Sequence, residues 1–122
     1  MKNSEFAAKM QLRTKQYALR VIGLIEAIPK TTVGRVIGHQ LIRAATSIGA
    51  NYRAACRARS TAEFSAKLGI VIEEADECIY WIELLIEGKL LRSDLLQPLL
   101  QETTEILATM VAARKTAQQH HS

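Results

Sequence analysis

Apolar residues recur at three- and four-residue steps in four separate stretches of the chain, the spacing of one face of an α-helix. The first stretch, about 4–28, places Phe6, Met10, Tyr17, Val21, Leu24 and Ile28 in register, with one turn skipped at Arg13/Thr14. Pro29 closes it, because the residue before a proline is pushed out of the α region. The second, about 34–57, carries Ile37, Leu41, Ala44, Ile48, Tyr52 and Ala55 as an unbroken seam. Gly38, Ala45, Ser47, Gly49, Ala50 and Ala54 leave this helix thin on its flanks, where another backbone can come close. The third, about 61–87, opens on Ser60-Thr61-Ala62-Glu63, a capping box, and closes at Gly88, a natural left-handed cap. Its seam reads Phe64, Leu68, Val71, Ala75, Ile79, Ile82 and Ile86. The fourth, about 94–116, follows Ser93 as N-cap, with Leu95, Leu99, Ile106 and Met110 inward and Leu96, Leu100, Leu107 and Val111 alongside. Pro98 must kink this helix or mark its start one turn later, and 117–122 reads as a frayed tail.

Long amphipathic helices joined by short connections lie antiparallel to their neighbours. The expected fold is therefore all-α: residues 1–122 as one antiparallel up-down-up-down four-helix bundle. Leu41, Ala44, Ile48, Leu68, Val71, Ala75, Ile79 and Ile82 are its expected core. A helix of about 24 residues is about 36 Å long, so the domain is elongated.

Composition narrows the class further. The 122 residues are 48% apolar, enough for a real core, and 6 Gly with 2 Pro are too few for the turns of an all-β chain. No run approaches the about 18 apolar residues of a membrane span, and no signal-peptide pattern opens the chain, so a cytoplasmic protein without a membrane partner is expected. Cys56 and Cys78 are too few for a zinc site. In an antiparallel pair of helices they stand about 24 Å apart, so they read as small apolar residues and not as a disulfide.

Charge is uneven along the chain. Residues 1–59 hold 11 Lys/Arg and 2 acids, whereas residues 60–89 hold 2 Lys and 7 acids. On the second helix Arg35, His39, Arg43, Thr46, Ala50, Arg53 and Arg57 repeat at three- and four-residue steps. They lie about 200° from the apolar seam, on the outward face. Four arginines along one face suit phosphate oxygens, which the guanidinium fork binds bidentately. The same four could instead be neutralised by the third helix. Antiparallel packing sets residue n opposite roughly 118 − n, so Arg35 faces Glu83, Arg43 faces Glu74/Asp76/Glu77, and Arg57 faces Glu63. Both fates are open on the sequence. Tyr80 and Trp81 are adjacent, so both cannot centre on one seam, and with Glu74 and Glu77 they are candidates for a subunit interface.

No catalytic constellation is present. His39, His120 and His121 do not form the Glu-x-x-His spacing of di-iron bundles, and no phosphate loop, dinucleotide fingerprint or nucleophile elbow occurs. No enzymatic activity, cofactor or metal is expected.

The segment IPKTTVGRVIGHQLIRAATSIGANYRAACRARS (28–60) followed by AEFSAKLGIVIEEADECIYWIELLIEG (62–88) resembles the 23S rRNA intervening-sequence, or S23-type, four-helix bundle proteins. The set formed by QLIRAATSIGAN (40–51), an Arg-Ser turn and E-F-x-x-K-L (63–68) is its specific core, and a weaker likeness extends over most of the chain. Members are similar to the accessory variability determinant protein of diversity-generating retroelements, a basic homopentameric barrel. The resemblance implies a four-helix protomer, a homopentamer and nucleic-acid binding, and it transfers no catalytic residue. Arg43, Asn51 and Glu63 match the pattern's polar positions, while Gly49 and Ala54 stand where many members have proline and glutamate.

The reading that follows is a non-enzymatic oligomeric scaffold that binds RNA or DNA phosphates through Arg35, Arg43, Arg53 and Arg57. The alternative is a protein-interaction module whose charged faces serve self-assembly and a protein partner.

Overall fold

In a computed structural model that describes residues 2–119, and side chains from Ser4 to Gln119, four helices run antiparallel: α1 (Lys2–Ile25), α2 (Thr32–Ala55), α3 (Thr61–Glu87) and α4 (Ser93–Gln119). Neighbours in sequence are neighbours in space, α1 on α2, α2 on α3 and α3 on α4. The ring closes where the Tyr17 hydroxyl of α1 meets Thr103 Oγ1 of α4 at 2.6 Å, and where Arg13 grips Glu102 and Glu105 at 2.7–2.9 Å. This is the expected four-helix bundle. Among the described residues no helix is long and apolar enough to cross a membrane.

The core follows the predicted seams with local shifts. Leu41, Ala44, Ile48, Leu68, Val71, Ala75 and Ile82 are fully buried, but Ile79 is only half-buried. After Ala75 the inward line of α3 steps by three to Cys78, then to Ile82 and Leu85, so Ile79 and Ile86 move to the flank. A helix of 3.6 residues per turn drifts off any fixed four-residue spacing, and the choice between 78 and 79 falls to packing. The same correction applies on α4, where Leu96 is buried while Leu95 and Val111 are exposed. Phe6, predicted inward, is 42% exposed beside the open end of the bundle.

The two turns that lack an apolar residue are filled by threonines. Thr14 and Thr103 are fully buried, and each hydroxyl donates to a carbonyl one turn back, of Met10 and Leu99 at 2.8 and 2.7 Å. A buried hydroxyl satisfied this way avoids its desolvation penalty. With Thr103's proton so committed, Tyr17 is the donor of the bond between them.

Helix ends differ from the sequence reading in instructive ways. α1 stops at Ile25, three residues before the expected Ile28, and its last turn tightens through Ala27 N–H to Leu24 O and Ile28 N–H to Ile25 O. Ile28 is thereby drawn into the core against Gly34 and Gly38. Thr31 caps α2, accepting from Gly34 N–H at 3.1 Å, and Ser60 caps α3, accepting from Glu63 N–H at 3.0 Å. α4 is already helical at Ser93 and passes through Pro98, so the proline does not mark a later start. Its ring lies on the exposed side, where the Asp94 carbonyl it cannot pair can meet water. Residues 117–119, read as frayed, are helical, and 120–122 lie outside the described residues.

Gly88 is not the left-handed residue. Its φ is −78°, and Lys89 carries the positive φ of 56°. Leu90 N–H reaches Leu85 O at 2.9 Å and Lys89 N–H reaches Ile86 O at 3.0 Å, the paired bonds of a Schellman cap with Lys89 in the position glycine usually holds. Gly88 is needed for space instead, since a Cβ there would sit 2.8 Å from Leu84 O.

Two predictions follow from this architecture. Lys89→Gly should stabilise the protein by about 0.5–1 kcal/mol, the left-handed penalty of about 1–2 kcal/mol less the extra chain entropy of glycine. Urea denaturation reads this directly, and an unchanged or lower midpoint would contradict the cap assignment. The second concerns alkaline pH. Burial pushes the Cys78 thiol up to about 12 and raises the Tyr17 phenol well above its ordinary value. In the unfolded chain these groups ionise near about 8.5 and 10. The folded state therefore holds protons that the unfolded state has lost, and stability must fall as pH rises above about 9. Denaturation midpoints at a series of alkaline pH values should decline, and Tyr17→Phe should make that decline shallower.

Candidate nucleic-acid interface

The outward stripe of α2 is real. Arg35, His39, Arg43, Thr46, Ala50, Arg53 and Arg57 are all exposed, opposite a buried line from Ile37 to Ala55. What the structure adds is a division of the stripe into unlike parts.

Arg43 at its middle is paired. Its guanidinium contacts Glu77 closely and Glu74 at 3.4 Å, and Glu74 also accepts from the Ser47 hydroxyl at 3.2 Å. Trp81 Nε1 donates to the same Glu77 carboxylate at 2.9 Å. Together the Trp81 N–H and the Arg43 guanidinium hold the Glu77 carboxyl below the ordinary carboxylate value. Trp81 is half-buried against the core, and Tyr80 next to it is 55% exposed, its ring edge-on to the indole at 5.2 Å. Of the four candidate interface residues, Glu74, Glu77 and Trp81 thus make an intramolecular clasp with Arg43, and Tyr80 stands outside it.

Arg35, Arg53 and Arg57 have no acidic partner within ion-pairing distance among the described residues. The mirror partners Glu83 and Glu63 do not reach Arg35 and Arg57. Arg35 lies at one end of α2 beside Lys30 and His39, along a small recess of about 260 Å³. Arg53 lies toward the other end, and Arg57, expected on the helix, sits in the turn two residues past its end at Ala55; both line a groove of about 430 Å³ between α1 and α2. α1 contributes Gln11, Leu12, Thr14, Lys15 and Ala18 to that groove, and α2 adds Thr46, Gly49 and Ala50. Its charged lining residues are Lys15, Arg53 and Arg57, with no acid among them.

The groove is open because Gly49 and Ala50, two small residues, line it on the α2 side. A Cβ on Gly49 would lie 3.4–3.5 Å from Thr14, and one on Gly38 would lie 3.3 Å from Ile28 Cδ1. A Cβ on Gly34 would collide with the Pro29 carbonyl. Gly34, Gly38 and Gly49 thus face α1 and the turn after it, whereas Ser47 reaches Glu74 of α3 and Ala50 is exposed. Lys15 escaped the sequence reading because nothing in one sequence sets the α1–α2 register. Arg13 was passed over as part of a skipped turn, yet its guanidinium ties α1 to α4 and lowers the proton affinity of Glu102.

Other surfaces are less suited to an anion. A recess of about 950 Å³ opens at the bundle end among Phe6, Tyr52, Phe64 and Ala113, with Arg59 as the one charged lining residue. Cys56 is half-buried there and Cys78 is in the core, both as free thiols. Among the described residues no three His, Cys, Asp or Glu side chains gather as a metal ion requires.

Comparison with known proteins places this arrangement. A crystal structure of a protein of unknown function of the S23 ribosomal protein family, from Bacteroides thetaiotaomicron, superposes with a TM-score of 0.81 at 32% sequence identity. The match covers 87% of this chain and 98% of that one. No curated protein matches the chain. The sequence pattern of the 23S rRNA-intervening sequence protein family fits residues 8–112, which span the greater part of all four helices. The chain belongs to the 23S rRNA-intervening sequence protein family.

Proposed function

We propose that the protein is a non-enzymatic helical scaffold that binds RNA or DNA phosphates through the exposed face of α2. The observation that carries this reading is that Arg35, Arg53 and Arg57 are exposed and lack acidic partners among the described residues, although seven acids lie on the adjacent α3 segment. Unpaired guanidinium groups need no ion pair broken before they meet phosphate, and each releases counterions on contact. The stripe carries no Phe, Tyr or Trp and only His39 as a ring, away from Arg53 and Arg57, so it reads phosphate and not base, and binding is nearly independent of sequence. Arg43 contributes less, because its charge is already met by Glu74 and Glu77.

Arg53→Gln and Arg57→Gln should each weaken binding of an oligonucleotide and reduce the magnitude of the log–log salt slope by about 0.7–0.9 per lost contact. Arg43→Gln should change both less. Fluorescence anisotropy across a salt series makes the measurement. Unchanged affinity and slope in folded Arg53 and Arg57 variants would overturn the proposal.

A second reading rests on α3. Glu73, Asp76, Glu83 and Glu87 line its exposed side with Ile70 and Tyr80 among them, a surface suited to a basic protein face. In this reading the charged faces serve self-assembly, with the homopentamer implied by family resemblance as the favoured state. Light scattering at micromolar concentration should then give a multiple of the chain mass that falls on Tyr80→Glu. A monomer mass would remove this reading.

A further inference from the structure

We infer that the groove between α1 and α2 is a seat for the backbone of a single nucleic-acid strand, with Lys15 of α1 as its opposite wall. This rests on the phosphate-binding reading above and assigns it a place and a strandedness. Three observations support it.

The first is the arrangement of charge. Lys15 comes from α1, Arg53 from α2 and Arg57 from the turn just after it, so cations stand on both sides of one concavity. None of the three has an ion-pair partner among the described residues, and the lining holds no acid. A convex partner touching only the crest of α2 would leave Lys15 unused.

The second is spacing. Thr14 lies against Gly49, which fixes the α1–α2 register and sets Lys15 level with about residue 48 of α2. Along the groove Arg53 then follows Lys15 by about 7.5 Å, from a rise of 1.5 Å per residue, and Arg57 lies beyond it in the turn after Ala55. That step is comparable to the distance between neighbouring phosphates on one strand.

The third is width and floor. The groove is a surface furrow of about 430 Å³ between two packed helices, room for a short stretch of one strand's backbone and not for a whole duplex. Its floor is low because Gly49 and Ala50 carry no side chain longer than a methyl group, and the Gln11 amide adds a neutral donor. With no aromatic lining, bases project outward and sequence is not read.

The test uses the full chain with labelled oligouridylate and an RNA duplex of the same length, by anisotropy over a salt series. Oligouridylate should bind more tightly than the duplex. Lys15→Gln should weaken oligouridylate about fivefold at 0.1 M salt, the 0.7 log unit per decade of salt that one single-strand contact contributes. Ala50→Glu, an exposed substitution that places a carboxylate in the groove, should weaken it at least as much, with circular dichroism showing that both variants fold. If Arg53→Gln weakens binding while Lys15→Gln and Ala50→Glu do not, the groove assignment is overturned and the basic-face proposal stands. Tighter binding of the duplex would also overturn it. If none of the variants has an effect, both fail.

Discussion

The register of α2 between α1 and α3 is the constraint on which the rest of the molecule depends. On the α1 side, Gly34 and Gly38 make room for the turn after α1, where the Pro29 carbonyl and the Ile28 and Ile25 side chains fill the space a Cβ would take, and Gly49 rests in ordinary contact with Thr14. A helix thinned on that side gains little apolar contact there, so the bulk of the core comes from the opposite side, where Leu68, Val71, Ile82 and Leu85 of α3 are buried with Leu41 and Ile48 of α2. The small residues Gly49 and Ala50 leave a shallow furrow at the surface, and Lys15, Arg53 and Arg57 stand on its margin. Packing and candidate function are thus consequences of one set of small residues.

The register of α2 against α3 decides which arginines remain open. Arg43 lies opposite Glu74 and Glu77 and is neutralised, whereas the position opposite Arg53 falls near Ser65 and Lys67. The clasp around Glu77 is a partly exposed network, and such pairs contribute modestly, about 0–1 kcal/mol each. Its larger effect is on the electrostatic field. It removes the middle of a basic stripe and leaves two separated positive ends, one at Arg35 and one at Arg53 and Arg57.

The helices and their pairing were legible in the sequence because period, breakers and caps agree. Pro29, the Ser60 cap and the Ile37–Ala55 seam each point to boundaries within a few residues of those observed, whereas the Thr31 cap, which starts α2 ahead of the expected 34, was not read. The outward stripe was legible too, since a fixed periodicity carries a polar face as surely as an apolar one. Three features were not. The step from Ala75 to Cys78 depends on which side chain fits the core, which spacing alone does not encode. The threonine pair Thr14 and Thr103 interrupts two apolar seams, and its burial is tolerable only because each hydroxyl returns to its own helix. Finally, the place of Lys15 depends on how α1 slides along α2, and its neighbours Gln11, Leu12 and Gln16 give no sign of a charged groove. The glycines of α2 marked a close contact without saying whether α1 or another chain would make it.

Side-chain nuclear magnetic resonance of the arginine Nε–Hε groups during titration with oligouridylate tests the central claim most directly. That claim is that the stripe of α2 is open at its Arg53 and Arg57 end and closed in its middle at Arg43. The Arg53 and Arg57 signals should shift progressively, while those of Arg43 and the Trp81 indole N–H stay in place. Shifts concentrated at Arg43 and Trp81, or at none of these groups, would contradict the account.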